Sequence, residues 1–346
     1  MYTDLGVPAQ YRVRHQIEQA RLAGYAVQET RLADSPHVSD LTTCNLLYFY
    51  RLPLTSRTWP LYQLARWRRI PIIFDSDDLV WDERERSYSY LDAHYTPAEV
   101  MRAMKQIRRT YALMQRVDAF VLSTPYLAHC AEQTFRQPVF VNRNALSQAM
   151  IDRATALVAL QQRDPQAATV IGYFCGTPYV HDEDLASIAA ALGHMLARYP
   201  QLRLRIYGAL HLAASLDAYA AQIEQRPLVP WQDLLAHVVQ VDIAIAPLVD
   251  NPQRRAKSAV KYLEAALVAV PVVASRLEPY QDAIVDGVTG LLASTPDEWA
   301  HALEQLIQSP ELRASIGQAA RQQAVRLHST AARAPHFAAI LQQVVR

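Results

Sequence analysis

Lysine is scarce in this chain, and its placement is the first chemical signal. Of 34 basic residues, only Lys105, Lys257 and Lys261 are lysines, and the last two stand four apart. Glu264 follows three residues later. Spacings of four and three put Lys257, Lys261 and Glu264 on one face of a helix, predicted over 257–269. That face begins at a helix N-terminus, where free backbone N–H groups and the helix dipole favour an anion. Two ammonium groups there suit a diphosphate, and a carboxylate one turn deeper suits ribose hydroxyls. A solvated helix face with a Lys–Glu pair is the plainer alternative. Arg254 and Arg255 add charge just ahead of it. The strand Val241–Ala246 and the loop after it lead into this helix, so strand, turn and helix N-terminus follow in the order of a phosphate site.

Other candidates sit at predicted strand ends. Gly172-Tyr-Phe-Cys-Gly176-Thr177-Pro178 closes one strand and leads to His181 at a helix start. Gly176 and Thr177 let a ligand approach the backbone, and His181 can donate to a phosphate or bond locally. The run is not G-x-G-x-x-G, which disfavours a nicotinamide dinucleotide. Tyr207 and Gly208 end the next strand, and Trp231 can flank a base or simply pack. Nearer the N-terminus, Phe74-Asp75-Ser76-Asp77-Asp78 follows an apolar strand. Asp77 and Asp78 can hold sugar hydroxyls, act as a general base, bind a divalent metal, or cap the next turn. Arg12 and His15, on an amphipathic helix start, face a binding cleft or solvent.

Positioning these residues needs a substantial scaffold, and 346 residues suggest two domains. Half the residues are hydrophobic, 19% are charged and the net charge is +1, so a disordered chain and a nucleic-acid binder are both disfavoured. Cys44, Cys130 and Cys175 are odd in number and widely spaced, as expected of reduced thiols in a cytoplasmic protein. No signal peptide and no run of about 18–20 apolar residues appears. Arg66, Arg68 and Arg69 with Trp59 and Trp67 form a basic-aromatic patch compatible with peripheral contact at the inner face of a membrane, or with an ordinary surface helix.

Short apolar strands alternate with helices almost throughout, which predicts parallel sheets covered on both faces. Strands are expected at Asn45–Tyr50, Ile70–Asp75, Val117–Ser123 and Pro138–Val141, then at Ala168–Phe174, Leu202–Tyr207, Pro227–Val229, Val241–Ala246, Pro271–Ser275 and Gly290–Ala293. The polar stretch 161–166 suggests a boundary. The expectation is an α/β chain of two doubly wound, Rossmann-like domains facing a cleft. Residues 1–155 and 156–328 form the domains, and a C-terminal helix within 329–346 packs back on the first. The first half opens on a helix where such a domain opens on a strand. Met1–Val7 can supply that strand, or the start lies upstream.

Taken together, these motifs resemble the GT-B glycosyltransferases, in particular the retaining family four and its bacterial polysaccharide and rhamnosyl-type branch. The second half carries most of the similarity. Its markers are Gly172–Thr177 with His181, Val241-Asp-Ile-Ala-Ile-Ala-Pro247-Leu248, Arg255-Ala-Lys257-Ser258, Lys261-Tyr-Leu-Glu264, Pro271–Ser275 and Asp286-Gly-Val-Thr-Gly-Leu-Leu292. The resemblance implies transfer of a sugar from a nucleoside-diphosphate sugar to a glycan or lipid-linked acceptor, with retention and without a metal or other cofactor. The donor binds the second half and the acceptor the first. Glu264 matches the family glutamate that holds the donor ribose. Its usual partner, eight residues earlier, is here Ala256. The family's arginine–lysine pair in the first donor-domain loop is absent, and Lys257, Lys261 and Arg255 are expected to neutralise the diphosphate instead. Two other readings follow from these departures. One is a non-catalytic sugar-nucleotide-binding scaffold, and the other is a metal-dependent Asp-x-Asp transferase built on Asp75-Ser-Asp77.

Overall fold

The computed structural model describes the chain apart from residues 3–5, 7–8, 35–42, 83–94, 162–166, 178–179 and 346. Its contacts divide it into two compact units. The first is Met1–Ser147 with Ala256–Ser258 and His328–Arg346, and the second is Gln148–Arg255 with Ala259–Leu327. The division falls at Ser147/Gln148 rather than at 155/156, because the helix Gln148–Leu160 packs on helices of the second unit. The polar stretch expected to mark the boundary lies almost wholly outside the described residues.

The first unit holds a parallel sheet in the order β1 (Leu47–Tyr50), β2 (Ile72–Ser76), β3 (Ala119–Leu122), β4 (Val139–Val141). Strands β2 and β3 are buried at every residue, as continuous apolar runs covered on both faces should be. One π-helical turn, Gln10–Arg14, runs into α1 (His15–Leu22), which ends before Gly24 at φ +88°, a left-handed position suited to glycine. Then come α2 (Thr58–Trp67), α3 (Pro97–Met114) and α4 (Pro125–Glu132). Thr96 and Glu99 form a reciprocal capping box on α3, and Thr124 caps α4. The C-terminal helix Thr330–Val345 packs along α1. Phe337, Ile340 and Leu341 meet Ile73, Ala119 and Val121 on one face of the sheet. Of the Met1–Val7 stub, Tyr2 makes isolated parallel bridges to Arg31 and Tyr50, and most of the rest lies outside the described residues.

The second unit holds a six-stranded parallel sheet. Its strands are β5 (Val170–Phe174), β6 (Arg203–Tyr207), β7 (Ile223–Arg226), β8 (Ile243–Ala246), β9 (Val272–Ser275) and β10 (Leu291–Ala293), in the order β10-β9-β8-β5-β6-β7. Strand β7 lies just ahead of the expected 227–229: Pro227 has no N–H for the ladder, so pairing ends at Arg226. Its helices are α5 (Gln148–Leu160), α6 (Asp182–Ala186), α7 (Ala189–Arg198), α8 (Leu234–Val238), α9 (Pro252–Arg255), α10 (Val260–Leu267), α11 (Glu278–Gln281), α12 (Pro296–Gln308) and α13 (Pro310–His328). The order reverses between β5 and β8. That switch point is where an open α/β sheet forms a crevice beyond the carboxyl ends of its strands.

Candidate functional site

In the second unit, β5 and β8 deliver two loops to the switch point. Gly172 in β5 passes so close to Val241 that an added Cβ would lie 2.7 Å from its side chain. Gly208, at φ +107°, lies as tightly against Cys175. Gly208 therefore serves the approach of the β5 and β6 ends. Tyr207 is buried, stacked on Phe174 at 4.7 Å and edge-on to His237. Gly176 and Thr177 follow β5; among the described residues nothing lies within 4 Å of a Cβ built on Gly176. Trp231 opens a short 3-10 turn and is half-buried.

Asp184 organises the loops. It is fully buried and accepts from Arg254 Nε at 3.0 Å, from the Val249 backbone N–H at 2.9 Å and from His181 Nδ1 at 2.6 Å. Arg254 also donates to the Val180 carbonyl. Burial, reinforced by the Lys261 charge, holds the His181 imidazole down to about 3, so the ring is neutral. With Nδ1–H committed to Asp184, its Nε2 is an acceptor, better matched to a hydroxyl than to a phosphate. Ser275 Oγ accepts from the Leu248 N–H and donates to the Leu248 carbonyl, fixing the β8 loop against β9.

Lys261 stands in the first turn of α10. Its Nζ lies 4.5 Å from the ring centroid of Tyr173 and 3.3 Å from that phenol oxygen. Burial, with Arg254 nearby, lowers its pKa. Among the described residues no carboxylate lies within salt-bridge distance of it. Glu264, one turn on, is buried on the same helix.

Lys257 is not on that helix face. Helix α10 begins at Val260, with the non-helical Ala259 (ψ 30°) before it, so the four-residue spacing crosses a break. Lys257 belongs to the first unit, where its Nζ pairs with Asp78 at 2.7 Å. Ser258 accepts from Asn144 Nδ2 at 2.8 Å, and Ala256 is fully buried in the apolar core of that unit. The position matching the family's first glutamate is thus a core position. Arg255 is likewise engaged, by Asp250 at 2.5 Å and by Glu278 at 2.6 Å.

The first unit's carboxylates form two networks. Arg12 and His15 are buried rather than on a surface or a cleft wall. Arg12 grips Asp75 through Nε at 3.0 Å and Nη2 at 2.6 Å, and its Nη1 donates to the Asn142 carbonyl. Gln16 and Tyr48 also donate to Asp75. Asp77 accepts from Tyr50 Oη at 2.9 Å and pairs with Arg51 at 2.7 Å. Burial opposes ionisation of Asp78, but Lys257 and Arg51 override it and bring its carboxyl down to about 2. Among the described residues no group of three His, Cys, Asp or Glu side chains is arranged to hold a metal. Lysine spacing predicts Lys261 and Glu264 on one helix but misplaces Lys257, and it gives no sign of Asp184, Tyr173 or Arg51. The one local signal was the i, i+3 pair His181–Asp184 at a helix start.

Residues 188–339 match a family model described as "Glycosyl transferase-like". A D-inositol 3-phosphate glycosyltransferase of Corynebacterium aurimucosum is 31% identical over 144 residues, covering 38% of this chain and 33% of the relative. The chain thus matches about a third of that relative's length. Among solved structures, a glycosyltransferase from Rickettsia africae superposes with a TM-score of 0.61 at 11% identity, covering 95% of this chain and 82% of the other. Anabaena HepE, solved in complex with UDP, gives 0.59 at 14% identity, covering 86% and 79%. Sucrose-phosphate synthase from Thermosynechococcus elongatus gives 0.59 at 15%, covering 86% and 73%. Residues 188–339 are thus glycosyl transferase-like, and the chain shares the fold of these solved glycosyltransferases. The family-model match begins at Ile188, in the second unit, and includes β6 to β10, Lys261 and Glu264.

Proposed function

We propose that this protein transfers a sugar from a nucleoside-diphosphate sugar to a glycan or lipid-linked acceptor, with retention and without a metal. The donor occupies the second unit, at the crevice between β5 and β8. The observation that carries this reading is Lys261: a half-buried ammonium with no carboxylate against it among the described residues, beside the parallel-sheet switch point. Leaving-group departure builds charge on the diphosphate, and a fixed cation stabilises that charge in the transition state. Glu264 takes the ribose. His181 Nε2 accepts from a donor hydroxyl, and Asp184 holds its tautomer. Gly176 and Thr177 offer backbone to the phosphates, and Trp231 flanks the base. HepE is also solved in complex with UDP-glucose, which supports a uridine nucleotide as the first donor to try.

The retaining family four is the finer assignment within this proposal. Asp77 and Asp78 are assigned to acceptor hydroxyls in the first unit, and Lys257 reaches a ligand only by leaving Asp78. Each of Asp75, Asp77 and Asp78 is already matched by a cation, which favours metal independence over the Asp-x-Asp reading. A catalytically silent nucleotide-binding scaffold is the second reading, and the burial of Ala256 favours it. Among the described residues no helix is long and apolar enough to cross a membrane. A cytoplasmic setting at the inner membrane face is part of the proposal, with Trp67, 77% exposed on α2, as its contact point.

Turnover separates the two readings. Donor hydrolysis or transfer across a panel of nucleoside-diphosphate sugars, with and without chelator, should proceed in chelator for the enzyme. Nucleotide binding with no turnover would establish the scaffold.

A further inference from the structure

A half-buried lysine needs something to hold it. Its long stem loses rotamer freedom when the ammonium is fixed, and burial disfavours the charged form. A carboxylate would fix Lys261, but would cancel its charge in doing so. Among the described residues no carboxylate lies within salt-bridge distance of it. The neighbour that touches it is Tyr173.

Tyr173 stands in β5, an interior strand between β8 and β6. Its side chain is fully buried and belongs to the apolar core of the second unit, with Leu185 and Ile188. The ring is thus held by the core independently of Lys261. Burial, reinforced by Asp184, holds the phenol well above the usual tyrosine range, so it brings no charge of its own. Two contacts reach Lys261, and they differ in strength. The Oη distance of 3.3 Å is long beside the roughly 2.9–3.0 Å of an ordinary N–H···O bond. The centroid distance of 4.5 Å is well inside the ~6 Å reach of a cation over an aromatic face. The ring therefore does most of the holding.

We propose that Tyr173 is the positioning residue for Lys261. Its ring face fixes the ammonium beside the switch point and, being neutral, leaves the whole positive charge for the departing diphosphate. Tyr173 acts only through Lys261, so this role rests on the donor reading above.

The test begins with the contact itself. The chain has three lysines, so isotopic labelling of lysine Cε gives three Cε–Hε correlations, which Lys105→Arg and Lys257→Arg assign. The Lys261 signal should lie upfield, shielded by the ring, in the wild type and in Tyr173→Phe, and should lose that shift in Tyr173→Leu. An unshielded Lys261 in the wild type would overturn the proposal with no variant needed. UDP titrated in chelator should bind Tyr173→Phe within about threefold of the wild type, and Tyr173→Leu about tenfold more weakly. In a Lys261→Ala background, Tyr173→Leu should weaken UDP by less than about twofold, because the ring then has nothing to hold. An equal loss in that background would make Tyr173 structural and overturn the proposal. So would a Tyr173→Phe protein as weak as Tyr173→Leu. If Lys261→Ala loses affinity and Tyr173→Leu keeps it, the positioning role fails alone. If Lys261→Ala binds UDP as the wild type does, the donor reading fails, and this role with it.

Discussion

Two clusters of charge stand at the carboxyl ends of two parallel sheets, and they differ in whether their charges cancel. In the first unit, Arg12 meets Asp75, Arg51 meets Asp77, and Lys257 meets Asp78. In the second, Arg254 meets Asp184 and Arg255 meets Asp250 and Glu278, but Lys261 lies against an aromatic ring with no carboxylate partner among the described residues. A matched cluster holds loops in place, whereas an unmatched buried cation keeps its field for a ligand. Residue type does not distinguish Lys257 from Lys261; the pairing does.

The largest expected effect breaks the matched cluster. Arg12→Ala leaves Asp75 buried and unpaired, and should cost about 3–5 kcal/mol of first-unit stability in urea unfolding. A loss under about 1 kcal/mol would mean that the network is not closed as described. Next, Lys261→Ala should lower kcat by about 10²–10³ while leaving the melting temperature unchanged. An equal loss of stability would make Lys261 structural.

The third prediction is pH-dependent. His181 titrates near 6.5 when unfolded and is held down to about 3 when folded. The unfolded chain then binds the extra proton as pH falls. The stability from neutral His181 is complete above 6.5 and is lost on acidification toward 3. Second-unit stability should fall by up to about 1.4 kcal/mol per pH unit below 6, and His181→Gln should flatten that slope. A parallel slope in the variant would mean that His181 is not held neutral. Smallest is Lys257→Ala, which breaks a partly exposed pair and should cost about 1 kcal/mol or less. Its turnover should fall far less than that of Lys261→Ala, and an equal fall would erase the contrast between the two lysines.

The fold was largely legible because parallel strands announce themselves as short apolar runs. Val272–Ser275 falls within its expected span, and Ile72–Ser76 overruns its own only by Ser76. Errors gathered where backbone chemistry overrides pattern. Pro227 ends a ladder that hydropathy would continue, and the helix expected from Lys257 begins three residues later, at Val260, after the non-helical Ala259. Much of the site was less legible because ion pairing is long-range. Asp78 and Lys257 are 179 residues apart, and no spacing rule links them. Arg12 looked like a surface charge because its partner lies 63 residues away.

Calorimetric titration of UDP in the presence of chelator, on the wild type and on Lys261→Ala and Lys257→Ala, bears on the unmatched cation itself. Metal-free binding that weakens at least about tenfold in Lys261→Ala, about 1.4 kcal/mol, and persists in Lys257→Ala is the predicted result. Equal affinity in all three proteins, or weakening confined to Lys257→Ala, would contradict it.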